Sequence, residues 1–475
     1  MHSSSIQPAP KANPSFGKPI VFLLILALIG LVAAAGHASI SPDGVRRFMF
    51  AYLTGFACVL SLLVASLFFV MVNHLSNAGW SVLIRRIPET IIANAWVVIL
   101  LSLPIVFTVV QGKGVLYYWA QPDDKVLVHH YDPYNTHAAH DDAHGHGDAH
   151  GAHASSGHGE VVSGQPVQAH ANESQAHADA HPGDHHSSEQ DKVILGKRAY
   201  LNVPFFLIRW IVVFGLFAFL GWYFWSRSIQ QDTNGDYKIT QKLNLVAAPG
   251  LFLFGVATTV IAFDFFMSLE AHWFSTIFGV YYFAGSVLFN FCVMTLLLVW
   301  LQKTGRLTPS INTEHYHDLG KFTFGFVFFW SYIAFSQYML YWYANMPETT
   351  FWFHMRGASS QEHGANPWTP IAILILLGHF ALPFAGLLSR HVKRNRKLLV
   401  GWAIWLCIMH WVDMVWVVMP SLSQGTRLDI GLTEVGLSVA LLSIFLAAFF
   451  YRLGKHSLVP VGDPRLNESL AHQNM

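Results

Sequence analysis

Apolar runs of about 20 residues recur along most of this chain, separated by short segments that carry the charged side chains. A helix of about this length crosses the hydrocarbon core of a bilayer. Such runs occur at residues 19–36, 48–73, 90–110, 203–225, 245–268, 275–301, 318–344, 370–389, 398–419 and 431–452. Because lipid offers no hydrogen bonds to the backbone, each run is predicted to be a helix, with Pro104, Pro249 and Pro383 as supported kinks. The predicted fold class is all-α integral membrane, with about ten transmembrane helices.

The distribution of Lys and Arg predicts an orientation. With the N-terminus inside the cell, the inner segments carry 18 of the 28 Lys and Arg residues, as the positive-inside rule requires. The first run also has the length of a signal peptide, but no polar mature sequence follows it, which favours an uncleaved helix. The predicted domains are cytoplasmic tails at 1–18 and 453–475, spans within 19–110 and 203–452, and an outer loop at 111–202.

The outer loop differs in composition from the rest of the chain. Between His129 and His186 it holds 14 of the 27 histidines, among Ala, Gly, Asp and Ser. Such a segment has too few apolar residues to form a core and is predicted to be disordered. Two interpretations stay open: metal capture or a pH-responsive tether, and a solvated insertion without a fixed site.

Composition and cysteine content exclude several classes of protein. Hydrophobic residues make up 53% of the chain and charged residues only 12%, and the net charge of +1 gives no reason to expect nucleic acid. The three cysteines, Cys58, Cys292 and Cys407, lie singly within apolar runs and form no cluster or haem-attachment motif. We therefore expect no thiolate iron-sulfur cluster and no covalent haem in this chain, and we assign no metal-ligand residues.

Ionisable residues within the spans are the candidate functional residues, because such groups are costly in a membrane. The predicted orientation places most of them in the outer half. A quinol that is oxidised there needs hydrogen-bonding bases, an apolar wall and a path for two protons. Asp264, His410 and Asp413 are the catalytic candidates, and the quinol-binding candidates are Asp264, Glu270, His272, His379, His410 and Asp413.

A second group of polar residues suggests a proton pathway. His317, Asp318 and Lys321 share one face at the start of the seventh run. They are predicted to admit protons from the cytoplasm, or else to be ordinary interfacial residues with a snorkelling lysine. The pathway would continue through Ser331, Ser336, Gln337 and Glu434.

Other interpretations of the same residues stay open. Asp264 and Asp413 would be structural if they paired with Arg209 or a histidine, and His379 would be structural if it only joined two helices. His379 and His410 would also suit a bis-histidine haem, although only one such pair is available. The carboxylates would equally serve an ion-coupled transporter, or the chain would only anchor peripheral redox subunits.

Two segments carry a family resemblance. FDFFMSLEAHWFSTIFGVYYFAGS at 263–286 and HDLGKFTFGFVFFWSYIAFSQYMLYWYANMPETTFW at 317–352 resemble the NrfD/polysulfide-reductase family of membrane subunits. Within that family the chain is most similar to the quinol:cytochrome c oxidoreductase subunits of bacterial alternative complex III, of the ActF type.

The resemblance implies two four-helix bundles with two peripheral helices, in the bacterial inner membrane. It implies a subunit of a quinol-oxidising enzyme that takes menaquinol or ubiquinol as substrate and holds no haem or iron-sulfur cluster of its own. The implied partners are a sister NrfD-like subunit, an iron-sulfur protein, and multihaem and monohaem cytochrome c subunits.

Overall fold

The structure is a computed structural model that describes residues 16–41, 43–121, 193–307, 311–358 and 366–473. The chain divides into two compact units, Met1–Pro122 with Ala199–Met475, and Asp123–Arg198. Only residues 193–198 of the second unit are described. The histidine-rich tract from His129 to His186, with the roles predicted for it, therefore lies outside the described residues.

The described residues confirm the all-α membrane fold, and they contain no β-strand. Ten helical segments in them are long and apolar enough to span a bilayer. In chain order these spans are Gly17–Ser39, Gly44–Leu75, Gly79–Val110, Val203–Asn234, Tyr237–Leu269, Phe278–Lys303, Thr313–Ala344, Thr369–Leu388, Arg396–Ser423 and Leu432–Leu453. Short helices outside the spans are Pro347–Met355, Arg390–Arg394 and Leu466–Leu470.

The spans form two groups of four with two helices at the side. Spans two to five pack on one another, spans six to nine form the second group, and spans two and six join the groups. The first span lies against the tenth, where Gly30 and Gly436 let the two backbones touch: a Cβ on Gly30 would lie 2.5 Å from the Gly436 carbonyl oxygen. Small residues commonly allow such close helix contacts in membranes.

Successive spans run in opposite directions and so define two faces. The face that carries Gly17 and residues 454–473 is named the terminal face, and the face that carries Val110 and Val203 is named the opposite face.

The third span begins earlier than its apolar run suggested. Arg85 and Arg86, predicted to lie in a loop, are buried in the helix Val82–Ala93. Arg85 pairs with Glu89 at 2.8 Å, and Arg86 lies 3.1 Å from the same carboxylate and 2.5 Å from Asp232. Because these charges neutralise one another, the helix continues through a stretch that looks too polar to be buried.

The end of the chain folds onto the terminal face. Asp463 is buried, and its carboxylate lies 2.6 Å from Arg85. Burial raises the pKa of Asp463, but the charge and hydrogen bonds of Arg85 outweigh this and hold the pKa below its usual value. The Ser469 hydroxyl donates to the Trp80 carbonyl at 2.8 Å, which fixes the short helix Leu466–Leu470 beside the third span.

Candidate functional site

A cluster of buried polar side chains lies where the sixth, seventh, eighth and ninth spans meet. His410 and Asp413 stand one turn apart on the ninth span, and both are fully buried. The Tyr281 hydroxyl, from the sixth span, donates a hydrogen bond to Oδ1 of Asp413. Oδ2 of Asp413 has no hydrogen-bond partner among the described residues. Since a buried carboxyl group ordinarily has its acceptors paired, this oxygen is available to a proton or a ligand.

His410 is held by serines of the central spans. Its Nε2 lies 3.1 Å from the Ser61 hydroxyl, which in turn accepts a hydrogen bond from Ser286 at 3.0 Å. The imidazole stacks on Phe289, with ring centroids 4.7 Å apart. Nδ1 of His410 has no partner in the described part of the chain. The ring is thus fixed in orientation while one nitrogen stays available.

Trp330, from the seventh span, contacts both His379 and Tyr281. Its ring centroid lies 4.0 Å from that of His379 and 5.9 Å from that of Tyr281. Gly285 makes room for this contact: a Cβ there would lie 3.3 Å from the Trp330 ring and 3.4 Å from Nδ1 of His410. We name Tyr281, Trp330, His379, His410 and Asp413 the central cluster.

His379 lies in a π-helical turn, Leu376–Ala381, within the eighth span. Pro383 explains the turn, because proline has no N–H to donate to the carbonyl four residues earlier and its ring crowds that carbonyl. The Trp405 indole donates to the Gly378 carbonyl at 2.7 Å, which satisfies another backbone oxygen of the turn. Both imidazole nitrogens of His379 are buried without a partner among the described residues. Single π-turns in helices are frequent at functional sites.

A line of polar groups leads from the central cluster toward the opposite face. Asp413, Val417 and Ser421 follow one another at intervals of four residues along the ninth span, and so lie on one side of it. The Arg356 guanidinium donates to the Val417 carbonyl at 2.7 Å and to the Ser421 hydroxyl at 3.2 Å. Glu270 lies near the same two residues, Arg356 and Ser421. Burial raises the pKa of Glu270, and the charge of Arg356 partly offsets the rise.

Asp264 and His272 occupy a separate region near the opposite face. Two hydrogen bonds, of 2.8 and 2.9 Å, join Arg209 to the buried Asp264 carboxylate. The Arg209 guanidinium also lies 3.8 Å above the Tyr200 ring. His272 is 3.0 Å from the Tyr118 hydroxyl. The structural alternative for Asp264, an ion pair with Arg209, is thus the observed geometry, and no hydrogen bond joins this carboxylate to the central cluster within the described residues.

The predicted proton-entry residues gather at the terminal face. Asp318 lies 2.5 Å from the Lys321 ammonium and 2.5 Å from Nε2 of His472, in the chain's last segment. His317 is 3.8 Å from the Glu314 carboxylate. These five ionisable groups form one patch, since His317 also interacts electrostatically with Asp318 and Lys321. The structure therefore brings His317, Asp318 and Lys321 together, as their spacing predicted.

The remaining predicted pathway residues do not form a continuous line. The Ser331 hydroxyl bonds only its own helix, to the Phe328 carbonyl at 2.8 Å, and Ser336 is half-buried on the seventh span. Gln337 is buried, seven residues after Trp330 on the same side of the helix. Glu434 pairs with Arg47 at 2.9 Å and accepts from the Gly431 N–H at 2.7 Å, which makes it the cap of the tenth span.

Sequence reasoning missed several members of the site. Tyr281, Trp330 and Ser61 contribute directly to the central cluster, and Arg356 contributes to the line of polar groups beyond it. Tyr, Trp and Ser are common in membrane helices, so their identity gave no signal. Arg356 did give a signal, because a single cation among apolar residues needs polar partners.

The central cluster is suited to handling protons around a polar group in an apolar setting. It offers a carboxyl oxygen, imidazole nitrogens and the Trp330 indole N–H. Within the described residues no group of three or more His, Cys, Asp or Glu side chains is arranged to hold a metal ion.

No protein-family model matches this chain. The curated proteins likewise contain no significant match to it.

Proposed function

We propose that this chain is a membrane subunit of a respiratory quinol:cytochrome c, or quinol:acceptor, oxidoreductase. The central cluster carries the proposal, because it gathers proton-handling groups with unpaired atoms inside an apolar bundle. A quinol presents two hydroxyls and releases two protons when it is oxidised. Asp413 and His379 supply acceptors for the hydroxyls, and aromatic side chains such as Trp330 and Phe289 supply the wall.

The proposal has two versions, which differ in what the central cluster binds. In the first, menaquinol or ubiquinol binds there, and Asp413 and His410 take its protons while its electrons pass to partner subunits. In the second, quinol binds on a sister subunit, and the cluster only conducts protons. The line through Ser421 and Arg356 supports an exit toward the opposite face in both versions. The patch around Asp318 supports proton entry in the second.

The resemblance of residues 263–286 and 317–352 to NrfD-like subunits supports the same class of enzyme. It suggests a sister NrfD-like subunit, an iron-sulfur protein, and multihaem and monohaem cytochrome c subunits as partners. The redox cofactors would belong to those partners. The bacterial inner membrane, with both chain termini in the cytoplasm, is the location that fits this assembly and the distribution of Lys and Arg.

Two other functions make different predictions. An ion-coupled transporter would use Asp413 as a coupling site, and the interrupted eighth span at Leu376–Ala381 favours it, since broken helices line transporter sites. A structural anchor would tolerate substitution of every buried carboxylate.

Purification of the tagged chain from its native membrane tests the proposal. The expected result is a complex that shows c-type haem absorbance and transfers electrons from quinol to a cytochrome, with turnover or proton release impaired in Asp413→Asn. A haem-free chain that drives ion flux would replace the proposal with transport. Active complex with both wild-type turnover and wild-type proton release in Asp413→Asn would leave only an anchoring role. Haem absorbance from the chain after its partners are removed would instead support bis-histidine ligation by His379 and His410.

A further inference from the structure

An apolar groove of about 450 Å³ opens sideways between the eighth and ninth spans. Its lining residues are Leu382, Lys397, Leu398, Gly401, Trp402 and Trp405. Lys397 and Trp405 are eight residues apart on one helix, so the groove extends roughly 12 Å along the ninth span. One cation at an end of an otherwise apolar groove distinguishes it from an ordinary lipid-facing surface.

The floor of the groove is built by two tryptophans seated on glycines of the eighth span. A Cβ on Gly386 would lie 2.0 Å from Trp402, and a Cβ on Gly378 would lie 3.2 Å from Trp405. Gly401 keeps the groove open, because no atom lies within 4 Å of where its Cβ would be. The groove is therefore a shaped feature of helix packing.

The end of the groove at the terminal face is strongly positive. Residues 388–398 (LSRHVKRNRKL) contain five Lys and Arg residues and no acidic residue. Arg394 pairs with Glu314, and the Lys393 ammonium donates to the Leu388 carbonyl at 3.3 Å. The Lys397 ammonium has no hydrogen-bond or ion-pair partner among the described residues. It is an exposed cation beside the mouth of the groove.

We propose that this groove binds an anionic phospholipid, with one acyl chain along Trp402 and Trp405 and the phosphate at Lys397. Basic pockets at the ends of transmembrane helices bind anionic headgroups in this way. A prenylated quinone would fill the apolar part of the groove, but its neutral headgroup would form no ion pair with the cations. Since the Trp405 indole also bonds the Gly378 carbonyl, the bound chain packs against the side chain that supports the π-turn of His379.

Native mass spectrometry of the purified full chain, with any partners it retains, tests the proposal. Phosphatidylglycerol and phosphatidylcholine with identical acyl chains are added to delipidated protein. The expected result is preferential retention of phosphatidylglycerol. Lys397→Gln should reduce that preference about fivefold, the effect of one cation near a charged headgroup. Gly401→Phe should remove binding of both lipids by filling the groove.

Two matched variants control for general effects. Lys242→Gln removes an exposed cation at the terminal end of the fifth span, and Gly215→Phe adds a ring at another glycine with no neighbour within 4 Å. Both should behave as wild type, and gel filtration identifies any variant that does not fold. Equal retention of the two phospholipids would overturn the proposal. It would also be overturned by co-purification of a prenylated quinone that is lost in Gly401→Phe but kept in Lys397→Gln.

Discussion

The Tyr281 hydroxyl donates a hydrogen bond to the Asp413 carboxylate inside the bundle, where both side chains are buried. The two residues belong to different spans and are 132 positions apart in sequence. A hydrogen bond to a charged group contributes about 1.5–3 kcal/mol. This bond therefore fixes where the carboxyl group of the proposed site points.

Tyr281→Phe is expected to lower quinol-dependent turnover by about tenfold or more, because Asp413 loses the hydroxyl that donates to its Oδ1. Steady-state reduction of cytochrome c by the purified complex measures the change. Tyr52→Phe is the matched control, since the buried Tyr52 hydroxyl bonds only the Leu101 carbonyl, at 2.8 Å. Equal rates in the two variants would show that the Tyr281 bond has no role in turnover.

A double-mutant cycle separates the structural and catalytic roles of Asp264. Asp264→Asn alone should destabilise the chain by about 3–5 kcal/mol, because it leaves the buried Arg209 charge without its partner. In the double variant with Arg209→Gln, thermal stability and turnover should both recover substantially. If stability recovers while turnover stays low, Asp264 acts on substrate or protons as the sequence suggested.

Pro383→Ala tests the π-turn. The new N–H lets the eighth span close into a regular α-helix, so stability in thermal unfolding should stay the same or rise. His379 would then turn away from Trp330, and turnover should fall, by up to about 100-fold for an error of 1 Å in a reacting group. Pro249→Ala, inside the regular helix Tyr237–Phe265, is the control. Undiminished turnover in Pro383→Ala would mean that the π-turn does not position His379 for function.

Asp463 makes the attachment of the chain's end depend on pH. Its folded pKa is depressed below the unfolded value of about 3.9, so its stabilisation is present above that pH and is lost as the pH falls through the folded pKa. Asp463→Asn should lower stability at pH 7 by about 3 kcal/mol, and the difference from wild type should shrink as the pH falls below about 3.9. Thermal unfolding from pH 2 to 7 measures it, with the exposed Glu468→Gln as control. A difference that does not change with pH would contradict the role of its charge.

The spans were predictable because their apolar runs have the length that a bilayer requires. The predicted start of the third span was wrong, because nothing in the sequence indicates that Arg85 is neutralised inside the helix. One of its partners is Asp463, 378 residues away, and no local pattern indicates such a pairing. His379, His410 and Asp413 stood out as titratable residues in apolar helices, and the structure brings them together. Asp264 stood out for the same reason, yet it belongs with Arg209, because sequence does not tell which helices are neighbours.

Proton release by the complex in sealed proteoliposomes tests the role of the central cluster most directly. Quinol is added, and external pH and cytochrome reduction are recorded together for wild type and Asp413→Asn. If the cluster binds quinol, electron transfer in the variant should fall by about 100-fold or more. If it only conducts protons, the number of protons released per electron should fall while electron transfer continues. A variant with the wild-type rate and the wild-type proton yield would contradict both.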